Sequence, residues 1–494
     1  MEKHVLSKST FIRACQCLKS LYLYKNFYHQ RDPLTAEQQA VFSRGSNVGM
    51  LARSLFPGGT DASPESPMRY AESVEHTRRL IGEGAEVIYE AAFQHDQVLA
   101  ALDILVKRGG KWYAYEVKSA TRISSTYLLD ASLQFHVMSQ AGIEPEDFFI
   151  VHINNQYVRK GKIDPHGLFS LVSVKKEAMQ NREVVRSRIA EAKRVLAQKM
   201  IPDIGIGEHC FSPYPCDYMG TCWKDIPTDS VFEIAGMKKK EQFELYNAGI
   251  LAIGDVPDEY ALARSERMQV EGHKSKAPFI DKAAIREFLR GIYYPVYFLD
   301  FETFMPAVPI YDLSRPYQHI PFQYSLHYKA ARDSEVRHSE FLGEQGQDPR
   351  HEFIKKLLMD TVGKGDILVY NAQFEKSVLH SLKNDFPEFG ELIDERISRI
   401  KDLMVPFQQK HYYHPAMKGS HSIKNVLPAL VPELKYEGMK IASGSMAMSA
   451  YEQLQTETDL FRILETREAL LEYCRLDTLA MVRLFEALEK AAMD

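Results

Sequence analysis

The chain has 494 residues, which is more than one hydrophobic core usually supports, so we expect two domains with a small third segment between them. A hydrophobic content of 45%, the absence of an apolar leader and the absence of any run approaching roughly 20 apolar residues predict a cytoplasmic protein with no membrane partner. A net charge of −5 excludes a basic protein that coats nucleic acid, so any nucleic-acid contact must be local.

The order of predicted elements divides the chain into three parts. Residues 1–225 mix helical stretches with strand pairs, residues 226–285 are charged and mostly helical, and residues 286–494 begin with a strand and end in helices. We therefore expect an α/β protein in which a small helical linker joins two larger domains.

A predicted hairpin in the first part gathers acidic and basic side chains. The two strands lie in the run QVLAALDILVKRGGKWYAYEVKSA and are joined at Gly109 and Gly110. Glu116 and Lys118 face the same way on the second strand, and Asp103 lies on the first strand. Two carboxylates that hold Mg²⁺ or Mn²⁺, with a lysine to position water and stabilise negative charge, suit phosphodiester cleavage.

The spacing of three cysteines points to a metal centre at the end of the first part. Cys210, Cys216 and Cys222 follow a C-x5-C-x5-C pattern in a loop that contains proline and glycine. In a cytoplasmic chain, six cysteines favour metal binding or burial over disulfides. Three thiolate ligands need a fourth ligand.

These features together resemble the iron-sulfur members of the RecB-type branch of PD-(D/E)xK nucleases, which include CRISPR-associated and AddB-like nucleases. The resemblance rests on the hairpin, the cysteine trio, the segment CLKSLYL and the helical run YLLDASLQFHVMSQAGI. It implies a restriction-endonuclease-like fold for residues 1–225. The catalytic residues that it implies are Asp103, Glu116, Lys118 and Gln134, with Asp103 and Glu116 as metal ligands. A structural [4Fe-4S] cluster is implied on Cys17, Cys210, Cys216 and Cys222.

Three points of this resemblance have alternatives. The histidine of the family's first motif is not identifiable, and Glu90 is a possible acidic substitute. Cys15 is an alternative to Cys17 as the fourth cluster ligand. Four thiolates also suit Zn²⁺, so zinc is the alternative to the iron-sulfur cluster.

The linker contains a pattern of helix, glycine turn and helix. The run MKKKEQFELYNAGILAIGDV has its turn at Ala248, Gly249 and Ile250. It resembles the helix-hairpin-helix units that hold a DNA backbone through turn amides. The alternative is a plain helical spacer.

The last part begins with two carboxylates on one predicted strand. In VYFLDFET, Asp300 and Glu302 project from one face while Leu299 and Phe301 point to the other. Two carboxylates on one face repel each other unless a divalent cation lies between them. The sequence therefore predicts a metal site here.

Two later helices carry further acidic residues. In DILVYNAQFEKSVLHSL, Asn371 is the expected N-cap and Glu375 lies near the first helical turn. In LLEYCRLDTLAMVRLFEAL, Tyr473 and Asp477 are four residues apart and share a helix face. Asp402 is expected to be structural.

The strand with D-x-E, the N-x-x-F-E segment and the Y-x-x-x-D helix resemble the three motifs of tyrosine-bearing DnaQ-like exonucleases. The resemblance implies an RNase H-like fold with a mixed sheet in residues 286–494 and removal of nucleotides from a 3′ end. Two divalent ions are implied on Asp300, Glu302, Glu375 and Asp477, with Tyr473 orienting the attacking water. Glu375 departs from the family, whose second motif usually ends in aspartate.

The two resemblances together cover most of the chain, and this architecture resembles a group of bacterial proteins that are described as predicted RecB-family nucleases. The leading hypothesis is a metal-dependent nuclease with a 3′–5′ exonuclease centre in the last part, a second nuclease centre in the first part, and DNA favoured over RNA. The alternative is a nucleic-acid-binding adaptor in which one or both centres no longer cut.

Overall fold

The computed structural model of the chain describes residues 4–493, and the side chains of these residues except 36, 37, 39–44 and 67. The chain divides into two compact units. Unit 1 consists of the described residues up to Asp225 together with Ala307–Tyr317. Unit 2 consists of Ile226–Pro306 and the described residues from Gln318 onward. The predicted linker, residues 226–285, is thus grouped with the second unit.

Unit 1 contains a six-stranded sheet and helices on both of its faces. The strands are β1 (Thr60–Asp61), β2 (Val87–His95), β3 (Val98–Arg108), β4 (Lys111–Lys118), β5 (Asp147–Ile153) and β6 (Phe169–Ser173). The helices are α1 (Lys8–Gln16), α2 (Leu18–Asn26), α3 (Ala36–Ala52), α4 (Tyr70–Gly82), α5 (Ser125–Gln140), α6 (Pro165–Leu168), α7 (Lys175–Gln180), α8 (Arg182–Leu196) and α9 (Met219–Cys222).

The strands of unit 1 follow the order β1-β2-β3-β4-β5-β6, in which β2, β3 and β4 form an antiparallel meander and β5 runs parallel to β4. Both faces of the sheet are apolar. Ile88 and Leu105 pack against residues of α1, α4, α5, α7 and α8, whereas their neighbours Tyr89 and Ile104 pack on the other face with residues of α3. Burial on both faces explains why these strands are almost continuously hydrophobic.

Unit 2 contains a five-stranded sheet and a separate pair of short strands. The strands of the two sheets together are β7 (Phe279–Ile280), β8 (Val296–Phe304), β9 (Ile320–Lys329), β10 (Arg337–Leu342), β11 (Ile367–Val369), β12 (Ile400–Asp402) and β13 (Tyr412–Tyr413). The helices are α10 (Lys239–Asn247), α11 (Arg264–Ser275), α12 (Lys282–Arg290), α13 (Arg350–Asp360), α14 (Ala372–Asp385), α15 (Gly390–Ser398), α16 (Val405–Gln408), α17 (Ile423–Leu430), α18 (Gly444–Leu454) and α19 (Leu460–Met493).

The main sheet of unit 2 has the order β10-β9-β8-β11-β12, while β7 and β13 form a separate pair. Strand β8 lies at the centre. On one side it pairs with the antiparallel strand β9, which in turn pairs antiparallel with β10, and on the other side β11 and β12 run parallel to it. Val296 and Phe298 pack with α12, α17 and α19, whereas Tyr297 and Leu299 pack with α13, α14 and α15. The alternation along β8 therefore directs successive side chains to opposite layers of helices.

The predicted helix-turn-helix in residues 226–285 is correct only in its first half. Helix α10 ends at Asn247 and Gly249 adopts a left-handed turn conformation with φ 83°. The expected second helix is wrong, because only a three-residue 3-10 turn, Ile253–Asp255, follows before α11 begins at Arg264. Pro257 disfavours helical backbone in the residue before it, which stops the helix from extending.

The chain is an α/β protein with mixed sheets, as the sequence predicts at this coarse level. Within the described part of the chain, no helix combines the length and the hydrophobicity needed to cross a membrane.

Candidate functional site

Three carboxylates converge beside the central strand of unit 2. Asp300 and Glu302 continue the face of β8 that carries Val296 and Phe298, which is the face covered by α19. Asp477 reaches the same place from α19. One oxygen from each of these three carboxylates lies within 4.8 Å of the other two. Among the described side chains, no other three His, Cys, Asp or Glu ligands lie this close together.

A fourth carboxylate, Glu375, enters the same cleft from the first turn of α14. Strands β8 and β11 are parallel neighbours, so the C-terminal end of β11 lies beside the part of β8 that carries Asp300 and Glu302. Glu375 is only 2% exposed, and its Oε2 has no hydrogen-bond partner. A buried carboxylate oxygen without a partner is unfavourable unless a cation satisfies it.

The N-terminus of α14 is held by Asp402. Asn371 occupies the N-cap position, but its backbone is left-handed, with φ 89°, and its side chain makes no capping hydrogen bond. Asp402 instead accepts hydrogen bonds from the backbone N–H groups of Asn371 at 3.1 Å and Ala372 at 2.9 Å. The predicted N-cap position of Asn371 is therefore confirmed, but its side chain makes no capping hydrogen bond, because Asp402 of the neighbouring strand β12 supplies the acceptor. Asp402 has a structural role and fixes the helix that carries Glu375.

Burial and mutual repulsion favour the protonated forms of the site carboxylates. Burial raises the pKa values of Asp300, Glu302 and Glu375 well above their ordinary range, and the negative charges of neighbouring site carboxylates raise them further. Burial also raises the pKa of Asp477, to about 6. Three buried acids and the half-buried Asp300, gathered in one cleft, fit a site for divalent cations, whose charge would reverse this preference.

Two tyrosines and one lysine surround Asp477. The hydroxyl of Tyr436 donates a 2.6 Å hydrogen bond to Asp477 Oδ1, and the charge of Lys424 also lowers the pKa of Asp477. Tyr473 lies one helical turn before Asp477 and is 4% exposed. Lys424 Nζ lies 5.6 Å from the ring centre of Tyr436 and 5.7 Å from that of Tyr473, and donates a 2.8 Å hydrogen bond to the carbonyl of Ala442.

A cleft of about 320 Å³ opens over these groups. Its wall includes His319, whose Nδ1 lies 2.9 Å from Thr303 Oγ1. Behind the carboxylates, the sulfur of the fully buried Cys474 lies 3.8 Å from Asp300 Oδ2. The sequence pattern predicted neither His319 nor Tyr436 as a site residue, because both lie outside the three motifs. Lys424 lies in the segment GSHSIKNVLPAL, where no motif singles it out.

The predicted catalytic residues of unit 1 come together in an ion-pair network. Lys8 Nζ lies 2.9 Å from Oε1 and 3.1 Å from Oε2 of Glu116, which is 2% exposed. Lys118 Nζ lies 2.8 Å from the same Oε1 and 2.6 Å from Asp130 Oδ2. Although burial alone would raise it, the charges of Lys118 and Lys8 hold the pKa of Glu116 below its ordinary value. Both oxygens of Glu116 already contact an ammonium group.

The other predicted residues of this centre are also engaged within unit 1. Asp103 Oδ2 accepts a 2.6 Å hydrogen bond from the backbone N–H of Val117, and burial together with repulsion from Glu116 raises the pKa of Asp103 to about 8. Gln134 is fully buried and its Nε2 lies 3.4 Å from Asp130 Oδ1. No three acidic, His or Cys ligands described in unit 1 lie within 4.8 Å of one another. A divalent ion at this place would therefore depend on Asp103 and Glu116, and Lys8 and Lys118 already contact Glu116.

Glu90, the possible substitute for the family's histidine, lies on β2 in a left-handed conformation with φ 52°. Its Oε1 is 3.2 Å from an Arg53 nitrogen, and its negative charge contributes to the raised pKa of Asp103. Glu90 is therefore an acidic member of the same electrostatic network.

The four cysteines assigned to a cluster line one small pocket of unit 1. Cys17 lies between α1 and α2, and Cys210, Cys216 and Cys222 complete the thiol lining of a pocket of about 20 Å³. Burial raises the pKa values of Cys17, Cys216 and Cys222. No three of these described sulfurs lie within 4.8 Å of one another. Cys15 packs instead against the hydrophobic core.

One protein-family model matches a segment that lies mostly in unit 2 and also includes Ala307–Tyr317 of unit 1. The family is described as "Domain of unknown function (DUF2779)", and the match covers residues 297–422. This range includes Asp300, Glu302 and Glu375 but ends before Tyr473 and Asp477. No curated protein matches the chain.

Proposed function

We propose that unit 2 is a 3′–5′ exonuclease that hydrolyses nucleic-acid phosphodiester bonds with two divalent ions, Mg²⁺ or Mn²⁺, and that DNA is its favoured substrate. The observation that carries the proposal is the convergence of Asp300, Glu302 and Asp477 within 4.8 Å, with Glu375 in the same cleft. Four acids from three separate elements, three of them buried and Asp300 half-buried, are unfavourable together without a cation, so their convergence supports a metal-binding role.

The arrangement of strands supports a DnaQ-like, RNase H-like fold for unit 2. The strand with the D-x-E motif, β8, is central. Its antiparallel neighbour β9 and then β10 lie on one side, and the parallel strands β11 and β12 lie on the other. The second motif follows the neighbouring parallel strand, and the third motif lies on the last helix. This is the mixed sheet and the motif order that the resemblance to DnaQ-like exonucleases implies.

The residues of the cleft support each part of the reaction. Divalent ions, when bound, would lower the pKa of the attacking water and stabilise the leaving oxygen. Burial raises the pKa of Tyr473, so its hydroxyl stays protonated and is suited to orient a water beside Asp477. Lys424 brings a positive charge to the cleft wall, where it is suited to contact a phosphate oxygen.

A degradation assay on end-labelled single- and double-stranded DNA and RNA tests this proposal. We expect wild-type protein with Mg²⁺ or Mn²⁺ to shorten a substrate from its 3′ end, and Asp300→Asn to lower the rate by a factor on the order of 1000. The matched control is Glu335→Gln, which removes an exposed carboxylate between β9 and β10 and should retain the activity. No degradation of any substrate with either ion would contradict the proposal.

For unit 1 we propose a PD-(D/E)xK-like fold that binds nucleic acid. The meander of β2, β3 and β4, followed by α5 and the parallel strand β5, supports this assignment. A second nuclease centre at Asp103, Glu116, Lys118 and Gln134 would require Glu116 to lose its contact with Lys8. The ion pair therefore favours the second candidate function, an adaptor unit that binds nucleic acid without cutting.

The two roles of unit 1 differ in what remains when unit 2 is inactive. Cleavage that persists in Asp300→Asn and disappears when Glu116→Ala is added would support a second nuclease centre. Binding of DNA by Asp300→Asn without any cleavage would support the adaptor role.

We also propose that Cys17, Cys210, Cys216 and Cys222 hold a structural [4Fe-4S] cluster, with Zn²⁺ as the alternative. A tetrahedral zinc with Zn–S bonds of about 2.3 Å would bring the sulfurs to about 3.8 Å from one another. In a cluster each thiolate binds a different iron, so a wider spacing of the sulfurs supports the larger group. Iron chemistry and reduced thiols also fit the proposed cytoplasmic location.

Anaerobic purification followed by metal analysis separates the two cofactors. We expect a brown protein that contains iron and acid-labile sulfide and absorbs visible light. A colourless protein with one zinc per chain would instead support the alternative.

A further inference from the structure

The two lysines that contact Glu116 lie on different elements, and their side chains differ in solvent exposure. Lys118 lies on the same strand as Glu116, and its side chain is 17% exposed. Lys8 is the first residue of α1, and its side chain is 27% exposed, which is more than the side chains of Lys118 and Asp130. Lys8 is therefore the more exposed of the two lysines that contact Glu116.

Local structure gives no reason for a lysine at this position. A positive charge in the first turn of a helix is unfavourable, because the N-terminal end of the helix dipole is itself positive. The first turn of α1 also contains no acidic residue that would offset it. The contact of Lys8 with both oxygens of Glu116 is thus made across 108 residues of sequence against the local preference.

The carboxylate of Glu116 cannot bind the ammonium group of Lys8 and a divalent ion at the same time. Mg²⁺ binds carboxylate oxygens at about 2.0–2.1 Å, so an ion on Glu116 would lie within a few ångströms of an ammonium nitrogen that is now 2.9 and 3.1 Å from the two oxygens. Repulsion between these charges is strong in a buried site, where water screens them little. Asp103 offers limited help, because its Oδ2 already accepts a hydrogen bond from Val117.

We propose that Lys8 is a built-in counterion that occupies the cation position of Glu116, so that unit 1 binds no divalent ion until Lys8 moves away. The inference rests on the proposed function only in taking Asp103 and Glu116 as the ligands of a second centre. Unit 2 differs, since the amine of Lys424 donates its hydrogen bond to a backbone carbonyl and leaves the acids open to the cleft.

Mn²⁺ binding to the full chain tests the inference directly. Titrations are followed by the electron paramagnetic resonance signal of free Mn²⁺ in an Asp300→Asn/Glu302→Gln background, which removes two ligands of unit 2. We expect Lys8→Met, which keeps the length of the side chain without its charge, to bind one Mn²⁺ about tenfold or more tightly than the background does. Adding Glu116→Gln should abolish this gain, and Lys8→Arg, which keeps the charge, should not produce it.

A second comparison leaves Lys8 unchanged. In the otherwise wild-type chain, Glu116→Gln should leave the number of bound Mn²⁺ ions unchanged, whereas Asp300→Asn should lower it. The inference is overturned if the background already binds Mn²⁺ at a site that Glu116→Gln removes. It is equally overturned if a folded Lys8→Met gains no site. Should Lys8→Met fail to fold, the Glu116→Gln comparison decides.

Failure of this inference and failure of the proposed exonuclease give different results. A chain that degrades no substrate but gains a Mn²⁺ site in Lys8→Met contradicts the exonuclease and supports the counterion. A chain that degrades DNA and binds Mn²⁺ at Glu116 with Lys8 in place supports the exonuclease and contradicts the counterion.

Discussion

Replacing Asp477 by asparagine should stabilise the cation-free protein while removing a proposed metal ligand. Burial raises the pKa of Asp477 from the ordinary value of 3.8 to about 6, so the folded state binds a proton more tightly than the unfolded chain. The stability that this proton provides is fully present below about pH 4 and is lost as the pH rises through 6. An asparagine side chain carries no charge at any pH, so Asp477→Asn should escape this loss.

The structure gives the size of the effect. A rise of about 2 in the pKa corresponds to about 3 kcal/mol of unfolding free energy at pH 8, at 1.36 kcal/mol for each pKa unit. Asp477 is 7% exposed, so solvent screens little of this amount. Asparagine can still accept the hydrogen bond from Tyr436, but the loss of its charge costs about 1 kcal/mol. We expect Asp477→Asn to be more stable than wild type by about 2 kcal/mol at pH 8.

Urea unfolding in EDTA, at pH 8 and pH 4, measures this difference. The two tryptophans, Trp112 and Trp223, both lie in unit 1, so their fluorescence follows that unit, whereas far-ultraviolet circular dichroism follows both. At pH 8 the substitution should move the circular dichroism transition to higher urea and leave the fluorescence transition in place. At pH 4 the two proteins should nearly coincide. Added Mg²⁺ should stabilise wild type and not Asp477→Asn.

Two outcomes would refute the reasoning. One is a variant that is less stable than wild type at pH 8 in EDTA, and the other is a difference of equal size at both pH values. Glu335→Gln is the control for removal of a carboxylate, and its exposed position predicts little change at either pH.

Three further predictions concern neighbouring features. Asp402→Ala should destabilise unit 2 by about 1–2 kcal/mol in urea unfolding, because two N–H groups at the start of α14 lose their acceptor, and Asp402→Asn should cost less. Lys424→Met should move the acid limb of the pH–rate profile of nucleic-acid degradation to higher pH, because the lysine charge lowers the pKa of Asp477, whereas Lys424→Arg should keep the wild-type profile. Cys17→Ser should lose iron on anaerobic purification while Cys15→Ser retains it; equal iron contents would contradict the assignment of the fourth ligand.

Features that depend on neighbouring residues followed from the sequence. The turn at Gly109 and Gly110 joins β3 and β4 as predicted, because both glycines adopt the positive φ that a tight hairpin requires. Asp300 and Glu302 share a face of β8 because side chains alternate along a strand. Tyr473 and Asp477 are four residues apart on one continuous helix, as expected.

Features that depend on residues far apart in the sequence could not be predicted from the sequence. The contact of Lys8 with Glu116 spans 108 residues, and nothing in the local pattern around Lys8 indicates it. Asp402 displaced Asn371 as the acceptor at α14 because strand pairing brings it there. Tyr436 precedes the last helix in an irregular segment, so no periodicity predicted its bond to Asp477.

Helix α1 joins two chemically different attachments. Its nine residues span about 13 Å, with the ammonium of Lys8 on Glu116 at the start and the thiol of Cys17 immediately after the end. One nine-residue helix therefore carries both the residue that neutralises Glu116 and a residue of the cysteine-lined pocket. A change that shifts α1 at either end would be felt by both.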